Sequence, residues 1–197
     1  VEGLAMACDV PQAIGFGVTG QSLPHPRDFV SVEEIAPGVT FEIDDIRISC
    51  CENTHYRAEA ELGTEGPISL SLRFDAPDRS IVYTGDTGPC RLVENLAKGA
   101  QLLVGEMMLA EQIIAQLQEK NPHMTSERIA MMGQHLHSHH LSPEQLGDLA
   151  VRAGVAHVVA VHIPLNSITP ETAPDFTARI SQVFSGQVSI ANDLDQF

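Results

Sequence analysis

Along residues 39–83 apolar and polar side chains alternate, and from residue 90 onward the apolar positions recur mostly at intervals of three and four. The first period belongs to strands with one buried face, the second to helices. Val39-Thr40-Phe41-Glu42-Ile43 and Ile46-Arg47-Ile48-Ser49-Cys50 flank Asp44-Asp45, which predicts a hairpin. Ile68 to Phe74 alternates, Ala76-Pro77-Asp78-Arg79 turns, and Ser80 to Tyr83 returns as a second hairpin. Helices and strands then take turns. Cys90 to Lys98 reads as a helix closed by Gly99, and Gln101 to Val104 as a short buried strand. Glu106 to Glu119 reads as a helix with Leu109, Ile113, Ile114 and Leu117 on one face, broken by Asn121-Pro122. A further helix, capped by Thr125 or Ser126, runs to about His137. Ser142-Pro143-Glu144-Gln145 is a helix start with a capping Ser, a first-turn Pro and a Gln three residues after the cap; Gly154 ends that helix. A strand over 155–161, a helix over 170–185 and an edge strand over 188–191 complete the pattern. Upstream, Leu4, Ala7, Val10 and Ile14 predict a short helix, followed by a turn-rich stretch to Pro37. Hairpins followed by β-α-β units predict an α/β mixed sheet with helices packed on its face, in a single domain over 1–197.

Charge narrows the partners. With 26 Asp and Glu against 11 Lys and Arg, the formal net charge is -15. Such a surface repels phosphate backbones at long range, and Arg27, Arg47, Arg57, Arg73, Arg79 and Arg91 stand apart rather than forming a basic footprint, so nucleic acid is not an expected partner. The longest apolar run, Val155 to Ile163, is interrupted by His157 and His162 and falls far short of the ~20 residues that span a bilayer. Cys8, Cys50, Cys51 and Cys90 lack the C-x-x-C spacing of a structural zinc site. Adjacent Cys50 and Cys51 would close a strained ring if bonded, so free thiols and a reducing, cytoplasmic compartment are expected. The chain begins with Val1, not Met, and is expected to lack its original N-terminus, which leaves a periplasmic or secreted origin open.

Three metal-competent side chains stand where predicted strands run out into loops. They are His55 in Asn53-Thr54-His55, Asp86 in Thr84-Gly85-Asp86-Thr87-Gly88, and His162 after Val158-Val159-Ala160-Val161. Each has an ordinary reading alone: a loop histidine, a turn aspartate bonding local amides, and a histidine at a core edge. Jointly they sit where ligands gather in open sheets, and a His/Asp/His set suits Zn²⁺ or a similar cation. A carboxylate between two histidines can bridge two cations ~3.5–4 Å apart. His140 precedes the helix start at Ser142. His135 and His139, four residues apart, can share a helix face, although His135-x-His137-x-His139-His140 reads more simply as a polar helix end. Glu106, at a strand end, reads either as an acid orienting a ligand histidine or as an exposed helix start.

As an ordered set over residues 38–165, these motifs resemble the later metal motifs of metallo-β-lactamase-fold hydrolases. His140-Leu141-Ser142-Pro143-Glu144-Gln145 is similar to a segment of the ribonuclease Z and arylsulfatase branch. The resemblance implies an α+β sandwich lacking its N-terminal third. It implies metal ligation by His55, Asp86 and His162, two divalent ions of the zinc type, and His140 as the catalytic group contacting the scissile ester. It further implies hydrolysis of a small phosphodiester, sulfate ester or lactone by a hydroxide held between the metals, and a homodimer as the form usual for such hydrolases. The His-x-His-x-Asp-His motif of these enzymes is absent; His25-Pro26-Arg27-Asp28 is the nearest string. A catalytically inactive scaffold is therefore the rival expectation, and a ribonuclease Z-like nuclease a third. His55 and Asp86 stand 31 residues apart, and two predicted strands take up much of that interval, which argues against the basic arm of transfer-RNA-processing members.

Overall fold

A computed structural model describes residues 3, 28, 30–163 and 172–197. The chain divides into two compact units, Val1–Ala36 and Pro37–Phe197, and every element below belongs to the second. The helix expected over 1–17 lies, Gly3 apart, outside the described residues.

The second unit holds a seven-stranded sheet in which each strand lies beside its sequence neighbour, in the order β1 to β7. β1 (Thr40–Ile43) and β2 (Ile46–Glu52) form the first hairpin around Asp44, whose φ of 53° lies in the left-handed region that Asp tolerates in tight turns. β3 (Leu70–Asp75) and β4 (Ser80–Tyr83) continue the meander. From β4 the pairing turns parallel through β5 (Leu102–Glu106), β6 (His157–Val161) and β7 (Gln187–Ile190). The sheet is therefore mixed, as the change of period predicts.

Parallel neighbours need crossovers, and these are supplied by α1 (Arg91–Ala97), by α2 (Ala110–Lys120), α3 (Ser126–His139) and α4 (Pro143–Ala153) in series, and by α5 (Ala173–Ser181). Right-handed crossovers that always advance to the next strand place their helices on one face of the sheet. The core shows that face: Val82, Leu103, Val158 and Ala160 from the strands meet Val93 and Ala97 of α1, Leu146, Leu149 and Ala150 of α4, and Phe176 and Ile180 of α5. Burying a large apolar side chain contributes roughly 1.5–3 kcal/mol, so this layer is what fixes β4 to β7 in register. α2 and α3 share a separate apolar seam of Ile114, Leu117, Met124, Ile129 and Met132.

One boundary differs from the sequence pattern. β5 continues through Gly105 and Glu106, which pair with Ala160 and Val161, and α2 begins only at Ala110. Apolar residues run unbroken in period across the junction, and the ladder to β6 captures what the helical spacing assigned to α2. At α4, Ser142 Oγ accepts from Gln145 N at 3.2 Å and Gln145 Oε1 accepts from Ser142 N at 2.9 Å, the expected capping box. Gly154 closes the helix at φ 67°.

Candidate metal centre

β2, β4, β5 and β6 all point the same way, because two antiparallel steps separate β2 from β4 and the rest is parallel. Their C-terminal ends share one edge of the sheet. His55, Asp86, Glu106 and His162 each follow or occupy one of those ends.

Each loop is held by buried polar bonds. Asn53, 1% exposed, donates through Nδ2 to Ser71 Oγ and to the Thr84 carbonyl, both at 3.1 Å, while its Oδ1 accepts from His55 N at 3.1 Å. That turn aims His55 off the sheet edge. Behind it, Glu52 and Arg57 form a buried ion pair with Nε 3.3 Å from Oε1. Arg57 also donates to the carbonyls of Thr64 and Pro67, and Glu52 Oε2 accepts from Gly63 N at 2.7 Å, so the long loop after His55 is clamped at its base. After β4, Gly85 takes φ 59° to turn the chain, and Asp86 follows. Thr54 and Thr87 hydroxyls lie 3.3 Å apart and join the two loops. Gly88 lets α3 approach: a Cβ there would sit 2.0 Å from the Ser138 carbonyl oxygen.

That approach delivers His139 and His140. His139 Nδ1 lies 2.6 Å from the Thr54 carbonyl oxygen, and His140 Nδ1 lies 2.9 Å from Glu106 Oε1. The same Glu106 oxygen accepts from Thr87 N at 3.0 Å and from Leu141 N at 3.4 Å. Glu106 is 1% exposed and ties the Thr87 loop to the His140–Leu141 connection, so the histidine it holds is His140 and not one of the expected ligands His55 and His162. The exposed helix start fails because the ladder to β6 holds Glu106 inside the sheet.

One donor atom each from His55, Asp86 and His140 lie within 4.8 Å of one another. The rings of His55 and His140 are 5.1 Å apart, edge to face. His162 reaches in from the other side, with Nε2 3.2 Å from Asp86 Oδ2, but its side chain is 58% exposed. Its φ of 51° is a strained value for a residue with a Cβ. Thus the four residues singled out in the sequence converge, with His140 closer to His55 and Asp86 than a role apart from the ligands would require. Burial pulls the His140 imidazole toward its neutral form, yet the hydrogen bond it donates to Glu106 and the charges of Glu106 and Asp86 outweigh it and raise its pKa above the ordinary value. His55 Nδ1 is buried and has no hydrogen-bond partner. An orphaned imidazole nitrogen beside a carboxylate and a second imidazole fits a divalent cation.

Cys50, Cys51 and Cys90 do not belong to this group of donors. Burial pushes the Cys51 thiol up to about 12 and raises that of Cys90, which leaves both inert as nucleophiles.

Residues 14–163 match the profile of the family described as Beta-lactamase superfamily domain. The chain is 28% identical over 165 residues to a protein named Ribonuclease Z from Mycobacterium sp. (strain KMS), covering 84% of this chain and 50% of that relative. It thus spans about half the length of such curated relatives. Among solved structures, the metallo-β-lactamase fold protein YhfI from Bacillus subtilis superposes with TM-score 0.55 at 16% identity, covering 80% of this chain and 52% of that one. Zn(2+)-bound PqqB from Methylobacterium extorquens does so with TM-score 0.53 at 16% identity, covering 82% and 55%. The family match over residues 14–163, which span the strand ends before His55 and Asp86 and the helix end at His140, makes this chain a member of the β-lactamase superfamily with the metallo-β-lactamase fold.

Proposed function

We propose that this chain carries the C-terminal part of the active site of a metal-dependent hydrolase acting on a small ester, with a phosphodiester, sulfate ester or lactone as the substrate class. The observation behind this is the joint placement of His55, Asp86 and His140 with the buried Glu106 behind His140. His55, Asp86 and His162 would hold two divalent ions, and imidazole with carboxylate donors suits zinc. Bound there, such ions supply Lewis-acid polarisation of the ester and a water of lowered pKa.

The remaining work falls to this chain's own residues. A carboxylate oxygen only accepts, so His140 donates its Nδ1 proton to Glu106, and Nε2 is left to face the cluster. His140 then holds a proton at Nε2 for the leaving oxygen, and Glu106 stabilises the charged ring and fixes its rotation. Asn53 and the Thr54–Thr87 contact keep the His55 and Asp86 loops in place without touching substrate.

Asp86→Ala in the intact hydrolase should abolish turnover of an activated aryl phosphodiester, aryl sulfate or lactone while leaving the far-ultraviolet spectrum unchanged. Undiminished turnover in that variant would rule the proposal out. A ribonuclease reading rests on the name of the relatives and is opposed by the net charge of -15.

A further inference from the structure

Beside the centre, α3 carries a second pair of imidazoles. His135 and His139 are one helical turn apart and share a face, with ring centroids 4.8 Å apart. His139 Nδ1 lies 2.6 Å from the Thr54 carbonyl oxygen. A carbonyl only accepts, so Nδ1 carries the proton, and Nε2 of the neutral ring keeps a bare lone pair. A histidine that gives one N–H to a backbone carbonyl and leaves its other nitrogen open is arranged as metal-bound imidazoles are. His135 is exposed and can turn toward that lone pair without disturbing the core. The sequence favours a polar helix end for this string; the Thr54 bond, which no spacing reveals, changes that reading.

We propose that His135 and His139 form a second, separately loaded divalent-metal site on the last turns of α3, selective for Ni²⁺, Cu²⁺ or Zn²⁺. With imidazole donors alone it discriminates against Mg²⁺ and Ca²⁺, which need oxygen ligands. Two protein donors leave the other coordination positions to water, so the site is weaker than a closed four-ligand one and exchanges freely. It is tied to the centre through Thr54, the residue before His55, and the His135 ring lies 6.0 Å from that of His140. It does not depend on the proposed hydrolase activity.

The test is Ni²⁺ titration of the chelator-treated full chain by calorimetry, with Cu²⁺ electron paramagnetic resonance to detect nitrogen ligation. The variants are His135→Ala, the double variant His55→Ala/Asp86→Ala, and the triple combination. The double variant should keep one class of Ni²⁺ site and nitrogen-coupled Cu²⁺. Adding His135→Ala should weaken that site about tenfold or more. Loss of all Ni²⁺ binding in the double variant, or equal binding by double and triple variants, overturns the proposal. If the double variant does not fold, His135→Ala in the otherwise intact chain decides: loss of one class supports the site, and an unchanged titration overturns it.

Discussion

At the scale of single residues, two side chains decide how the centre behaves. Glu106 sets the state of His140. In the chelated protein the His140 pKa lies above the ordinary histidine value of about 6.5, so its protonated form favours the folded state. That contribution is complete below the ordinary value and is lost as pH rises through the folded-state value. Glu106→Gln keeps the acceptor for Thr87 and Leu141 but removes the charge. Histidine NMR titration of the chelated variant should show His140 shifted downward, and hydrolysis should fall roughly 10–100-fold, the usual cost of losing such support. An unmoved titration would mean that Glu106 does not govern this ring. His162 is the second case. Its left-handed backbone is a cost accepted by a residue with a Cβ, so His162→Gly should raise the denaturation midpoint of the chelated protein by about 0.5–1 kcal/mol of stability while weakening metal binding. Calorimetry with and without metal separates the two effects. The placement of His55, Asp86 and His162 was legible because each follows a strand that runs out into a loop, whereas His140 stood out through the likeness of its segment to the ribonuclease Z and arylsulfatase branch. The role of Glu106 was only half readable, since the strand before it and the helix after it merge into one apolar pattern.

At the scale of elements, the loops are positioned by bonds that sequence spacing cannot show. The Glu52–Arg57 pair sits beneath the loop after His55 at 4% and 7% side-chain exposure. Arg57→Ala leaves the Glu52 carboxylate buried without its counter-charge, at a cost of roughly 3–5 kcal/mol. Urea unfolding should report that loss, and proteolysis should begin in residues 58–69. A loss below about 1 kcal/mol would show that water already reaches the pair. The capping box of α4 and the turn at Asp44-Asp45 were legible because local chemistry alone specifies them. The contact of Gly88 with Ser138, which brings α3 to the Asp86 loop, joins residues distant in sequence and leaves no local trace.

At the scale of the whole molecule, charge and topology carry different information. The net charge of -15 predicts weak RNA binding even though the matched relatives are named for a ribonuclease. Fluorescence anisotropy with a transfer-RNA precursor should show no saturable binding at about 50 mM salt; tight binding with a steep salt slope would reverse the choice of substrate class. The class of fold followed from the switch between strand and helix periods, whereas the unbroken strand order is a tertiary fact. That order has a kinetic meaning. Since every strand pairs with its predecessor, the sheet can assemble by successive addition from β1 toward β7, with modest loop closure at each hairpin and larger closures only at the helical crossovers. In an assembly of that order, His55 and Asp86 meet when the meander closes, His140 joins with α3, and His162 joins last, after β6 docks. On that order a partly folded chain holds an unfinished set of donors, so the proposed grip on a cation would come only with completion of the sheet.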